Sequence, residues 1–138
     1  MTTTAKNLRL KHRSKEITEG PDRAPARSYL WAMGLTQEDM DKPFVAIANL
    51  ASDITPCNVH LDRLVLAAKE GIRKADATPF QFGTITISDG ISMGTEGMKA
   101  SLISREVIAD SIEVVAFGER MDGLITVAGC DKNMPGCL

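Results

Sequence analysis

Three short runs rich in β-forming residues, Phe44 to Ala48, Phe82 to Ile87 and Leu124 to Ala128, alternate with two stretches of helical periodicity. This alternation limits the fold more than any other feature. From Val59 onward, Leu61, Leu64, Val65, Ala68, Ile72 and Ala75 recur at helical intervals, while Asp62, Arg63, Lys69, Glu70 and Lys74 fall on the opposite face. Asn58 is a natural cap for that helix. A second helix is expected from about Leu102 to Phe117, closed by Gly118. Strand, helix, strand, helix, strand argues for an α/β fold: part of a three-layer sandwich with a mostly parallel sheet. Right-handed crossovers then bring all three strand ends to one edge. The loops leaving that edge hold Cys57, then Asp89 and Glu96, then Cys130, Asp131 and Lys132.

No internal repeat, low-complexity stretch or linker divides residues 1–138, so they read as one piece of one domain. Its 43% hydrophobic and 25% charged residues are ordinary globular composition. The net charge of -2 carries no electrostatic footprint for nucleic acid. Lys6, Arg9, Lys11, Arg13 and Lys15 read as part of a solvated start, with residues 1–12 as a flexible tail. No apolar run is long enough for a membrane helix, and none follows the basic start as a secretory signal requires, so a cytoplasmic protein is expected. After the tail, Arg27 to Met33 reads as a short helix closed by Gly34, and Thr36 as the N-cap of another.

Three cysteines without a secretory signal argue for metal or redox chemistry rather than a disulfide framework. Cys57 and Cys130 each lie in a polar loop at a strand end and suit a soft metal, zinc or an iron–sulfur cluster. Two thiolates are too few for either. Cys137, after Gly136, reads as a packing residue. Asp89 and Asp131 suit a hard cation such as Mg²⁺; Glu96 reads equally well as an ordinary loop acid. Lys132 must pair with Asp131 or a substrate anion, or be carbamylated into an oxygen ligand, because an ammonium beside a divalent ion repels it. The Gly-rich stretch Ser88 to Gly97 offers a second reading, a backbone cradle for phosphate, although it lacks the P-loop lysine and the dinucleotide glycine spacing. His12 and His60 carry little signal; His60 reads as solvated or capping a first turn.

Glu19 to Pro25, Ile54-Thr55-Pro56-Cys57-Asn58, Ser88 to Met98, Ser104 to Ser111 and Gly129-Cys130-Asp131-Lys132-Asn133-Met134-Pro135-Gly136 together resemble the N-terminal part of the dihydroxy-acid dehydratases, iron–sulfur enzymes of branched-chain amino-acid biosynthesis. The resemblance runs from about Arg13 to the end. It implies a hydro-lyase that removes water from 2,3-dihydroxy-3-methylbutanoate and its isoleucine-pathway homologue, giving 2-oxo acids. It implies that Cys57 and Cys130 are two of three thiolates on a [2Fe-2S] cluster, and that Asp89, Asp131 and a carbamylated Lys132 bind Mg²⁺. A homodimer is implied as well. The family's third cysteine, a further carboxylate, the serine proposed as base and a C-terminal β-rich domain lie beyond Leu138, so the isolated chain is expected to be inactive, with no catalytic base of its own. Leu50-Ala51-Ser52-Asp53 lacks the aromatic residue often found before the Thr-Pro-Cys-Asn run. Two other readings stand beside this one: a sugar-acid dehydratase of the same family, and a non-catalytic metal-binding α/β module.

Overall fold

The computed structural model describes residues 10–138. Its centre is β1, Phe44–Asn49, in a three-stranded sheet of order β2-β1-β3. β2 is Thr78–Gly83 and β3 is Gly123–Val127, both parallel to β1. Successive side chains of a strand point to opposite faces, and β1 is covered on both. Ile47 packs with Val65 and Ile72 of α4, Leu61–Lys74, while Ala48 packs with Ile108 and Ile112 of α6, Gly97–Gly118. The chain is therefore an α/β domain with helices on both sides of a parallel sheet, as the alternation of elements predicts.

Before the sheet come α1 (Lys15–Thr18), α2 (Ala24–Ala32) and α3 (Gln37–Asp41). The expected helix ending near Met33 is α2, and Gly34 closes it with φ of +91°, a conformation suited to glycine. Thr36 does cap α3: its hydroxyl accepts from Asp39 N–H, and Asp39 accepts from Thr36 N–H.

Several expectations are corrected. Residues 1–9 of the expected tail lie outside the described residues, but Lys11 is not solvated. It is buried, donates to Ser14 Oγ at 2.8 Å and Lys42 O at 3.2 Å, and its ammonium lies 4.5 Å from the Phe44 ring centroid. The second strand is Thr78–Gly83 rather than Phe82 to Ile87. β1 runs out at Asn49, opposite Gly83; Thr84 N–H still reaches Asn49 O, but the segment beyond it leaves β1 and Ile85 is exposed. Thr78 N–H donates back to Pro43 O, which directs the ring nitrogen of Pro79 away from β1 toward the free edge, where no hydrogen bond is lost. α6 begins at Gly97, earlier than expected. Leu64 of α4 and Ala75, which caps its C-terminus, are exposed rather than core. Asn58 does not cap α4; His60 takes that place without a side-chain bond, and the Asn58 side chain turns inward.

Candidate active site

The pairing register explains why distant residues meet. Asn49 stands opposite both Gly83 and Val127, so the three strands end level with one another. In such sheets the crevice beyond the strand ends is where chemistry collects. The loop from β1 carries Cys57. The loop from β2 enters the single turn α5, Asp89–Ser92. The loop from β3 holds Cys130, Asp131 and Lys132 ahead of α7, Asn133–Gly136.

Lys132 Nζ sits between two carboxylates. It donates to Asp89 Oδ2 at 3.0 Å, across 43 residues of sequence, and also to Asp131. Asp89 is buried and Asp131 largely exposed. Ser101, fully buried on α6, donates its hydroxyl to Asp89 Oδ1. The Ser101 bond first, and Lys132 second, hold the Asp89 carboxyl below the usual carboxylate range. Asp131 and then Asp89 hold the Lys132 ammonium above the usual lysine range. Both carboxylates thus reach a single cationic point from a half-open edge, and a hard cation taking that point would meet the same two oxygen donors.

The thiols of Cys57 and Cys130 form a neighbouring pair. The neighbouring Cys130 pushes the Cys57 thiol above its ordinary value, since two thiolates side by side repel. Gly129 makes the approach possible: a Cβ there would stand 2.6 Å from Cys57 O and 2.8 Å from Asn58 Oδ1. Cys130 follows in the left-handed region, φ +72°, unusual for a residue with a side chain. All three cysteines are free thiols. Cys137 packs against the core cluster of Ala48, Leu50, Leu61, Ile108 and Ile112, and burial pushes its thiol up, as a packing residue should behave. Paired thiols are the donor type that soft metals take, and two are fewer than such a centre needs. Among the described residues, no group of three or more His, Cys, Asp or Glu side chains is assembled for a metal.

Glu96 stands apart from this cluster, paired with Lys99 on the surface. His60 is exposed. The phosphate-cradle reading of Ser88 to Gly97 is not favoured, because amides it needs are already used: Ser92, Met93 and Thr95 N–H donate to Ser88, Asp89 and Ser92 carbonyls. Between the Cys57 and Asp89 loops lies a cleft of about 220 Å³ lined by Ile54, Ile87 and Ile91 with Thr55, Thr86, Ser88 and Ser92.

Sequence reasoning assigned no role to Ser101, Thr86 or Asn133. Ser101 had a signal, since Ser101, Ser104, Ile108 and Ile112 form one buried helical face whose first members are polar. Thr86 and Asn133 had none, because their bonds join loops far apart in sequence.

No helix of the described residues is long and apolar enough to cross a membrane. The profile described as dihydroxy-acid/6-phosphogluconate dehydratase N-terminal matches residues 42–138, more than half the chain. The chain is 66% identical, over 91% of its length, to a dihydroxy-acid dehydratase of Natronomonas pharaonis, covering 21% of that protein. It is 63% identical over 91% of its length to one from Haloarcula marismortui, covering 22% of it. A third, from Koribacter versatilis, is 57% identical over 98% of the chain and is covered for 24% of its own length. The chain thus spans between a fifth and a quarter of these relatives. All three site loops fall inside the matched segment, and the chain belongs to the dihydroxy-acid/6-phosphogluconate dehydratase family through the N-terminal region of that family.

Proposed function

We propose that this chain supplies the N-terminal half-site of a dihydroxy-acid dehydratase, a hydro-lyase acting on 2,3-dihydroxy-3-methylbutanoate and its isoleucine-pathway homologue. One observation carries the reading: a thiol pair and a carboxylate–lysine cluster share one edge of a parallel sheet, in a chain at 66% identity to a protein of that name. In this reading Cys57 and Cys130 hold two positions of a [2Fe-2S] cluster, and Asp89, Asp131 and Lys132 hold Mg²⁺. When bound, these groups stabilise negative charge on the substrate acid and on the departing hydroxyl.

The chain's own residues set the conditions. Ser101 keeps Asp89 ionised and aimed at the edge. Lys132 in its ammonium form neutralises the two carboxylates while no cation is bound. Carbamylation needs the neutral amine, which combines with CO₂ and releases a proton to give a carbamate. A divalent cation drawing Asp89 and Asp131 away from the ammonium favours that change, so metal and CO₂ act together. The isoleucine-lined cleft beside Asp89 suits an aliphatic branch better than the hydroxyls of a sugar acid, favouring the dihydroxy-acid substrate over that alternative.

The base, the third thiolate and the remaining Mg²⁺ ligand come from outside these residues in this reading, and the complete subunit works as a cytoplasmic homodimer. The test is a chimera in which residues 13–138 replace the matching segment of the Koribacter versatilis enzyme. Formation of 2-oxo acid from 2,3-dihydroxy-3-methylbutanoate, abolished by Cys57→Ser or Asp89→Asn, is the expected result. A folded, iron-loaded chimera that turns over only sugar acids would overturn the substrate assignment. The chain alone is expected to form no 2-oxo acid.

A further inference from the structure

The three loops of the site meet at one hydroxyl. Thr86, between β2 and α5, accepts at Oγ1 from Asn58 Nδ2 at 3.0 Å and from Asn133 Nδ2. Asn58 directly follows Cys57, and Asn133 directly follows Lys132. Both asparagines are fully buried. Asn58 Nδ2 also donates to Leu50 O at 2.5 Å, and Asn133 Oδ1 accepts from Ile87 N–H at 3.4 Å. Each amide therefore ties its own strand-end loop to the Thr86 segment. A buried amide stripped of its partner keeps its desolvation cost without compensation, so these bonds decide where the two loops rest.

We propose that Asn58, Thr86 and Asn133 are positioning residues, with Thr86 as the hub that sets the spacing of Cys57 and Cys130 and holds Lys132 against Asp89. The functional weight of this arrangement rests on the reading of the two cysteines as cluster ligands. Its geometry does not. Apolar contact alone does not fix these loops, because Ile54 and Val59 flanking Cys57 are exposed, as is Met134 beyond Asn133. Thr86 also lines the isoleucine cleft, but its hydroxyl is not among the proposed metal ligands, which separates its effect on thiol spacing from loss of a ligand.

The test measures thiol spacing without any cluster. In the full chain carrying Cys137→Ala, the reduced protein is treated with dibromobimane, which fluoresces on bridging two nearby thiols, and the rate is divided by the rate of single-thiol alkylation. Thr86→Val keeps the shape and removes the acceptor; Thr86→Ser keeps the acceptor. Bridging is expected to fall roughly tenfold or more in Thr86→Val, which loses both accepted bonds, and to return in Thr86→Ser. Should Thr86→Val fail to unfold cooperatively, Asn133→Ala removes one limb only and is expected to slow bridging severalfold. Bridging at the parent rate in a folded variant of either kind overturns the proposal. Anaerobic reconstitution with iron and sulfide, with Cys57→Ser and Cys130→Ser beside it, separates the two claims. A cluster spectrum that survives both cysteine changes defeats the ligand reading and leaves the spacing result standing.

Discussion

At the scale of single residues, Gly129 shows most clearly how the site constrains the sequence. Two oxygens crowd the place a Cβ would take there, one from the Cys57 main chain and one from the buried Asn58 side chain, and neither is the end of a long flexible group. Gly129→Ala must push the β1 and β3 loops apart. Overpacking of this kind costs about 1–3 kcal/mol. Chemical denaturation of the variant is expected to show that loss, together with slower bridging of Cys57 to Cys130. Gly118 provides the contrast: it ends α6 with open space around its missing Cβ and without a positive φ. Gly118→Ala is expected to be neutral or to stabilise by up to about 1 kcal/mol, as glycine gives way to a better helix former. Equal losses in both variants would mean that the close approach at Gly129 is not what requires glycine there.

Between elements, one carboxylate joins the N-terminal segment to the sheet. Asp122, just before β3, accepts from His12, Arg13 and Ser14 N–H at 2.7 to 3.0 Å, from Ser14 Oγ at 2.5 Å and from Phe44 N–H at 2.9 Å. Burial by itself would push its carboxyl up, but the Ser14 hydroxyl and the amides of Ser14, Arg13 and Phe44 outweigh it and hold the carboxyl below its ordinary value. A depressed folded-state value means that the unfolded chain takes up the proton first as the solution is acidified. The stabilisation is therefore complete above an unfolded value of about 3.9 and is lost as pH falls through the lower folded value. Asp122→Asn is expected to cost roughly 1.5–3 kcal/mol at neutral pH, the range for hydrogen bonds to a charged group, and the gap from the parent should close in strong acid. A gap that stays constant from neutral to acid pH would show that the charge is not what docks the segment. None of this was legible in the sequence, where Lys11 and Arg13 look like a solvated tail. β1 and β3 were legible because a short apolar run between polar loops has few other uses. Thr84 to Ile87 is equally rich in β-formers, yet forms no strand because β1 has already ended beside it. Cys57, Asp89, Cys130, Asp131 and Lys132 were legible as strand-end residues; Thr86 was not, since its worth comes entirely from where two remote amides happen to arrive.

For the molecule as a whole, β3 is the element whose surroundings disagree with its sequence. Leu124-Ile125-Thr126-Val127 reads as a strand buried on both faces, the usual state in parallel sheets. In the structure Leu124 is 42% and Ile125 39% exposed, and as neighbours they point to opposite sides of the sheet. Neither face of β3 is therefore fully covered. Its outer edge also carries main-chain groups that β1 does not satisfy. On α6 the apolar residues Leu102, Ile103, Val107, Val114 and Phe117 are exposed too. An uncovered apolar edge strand is a template for pairing with another chain. The isolated chain is therefore expected to self-associate at rising concentration, detected as a shift in sedimentation velocity. Ile125→Lys, which places a charge on the face beside that edge, should restore a monomer, with a somewhat lower melting temperature because more than half of Ile125 is buried. If the parent stays monomeric at concentrations where a comparable uncovered edge would pair, β3 is protected by something other than burial. If Ile125→Lys still associates, the α6 face rather than the β3 edge is what draws the chains together, and Phe117→Lys becomes the informative change.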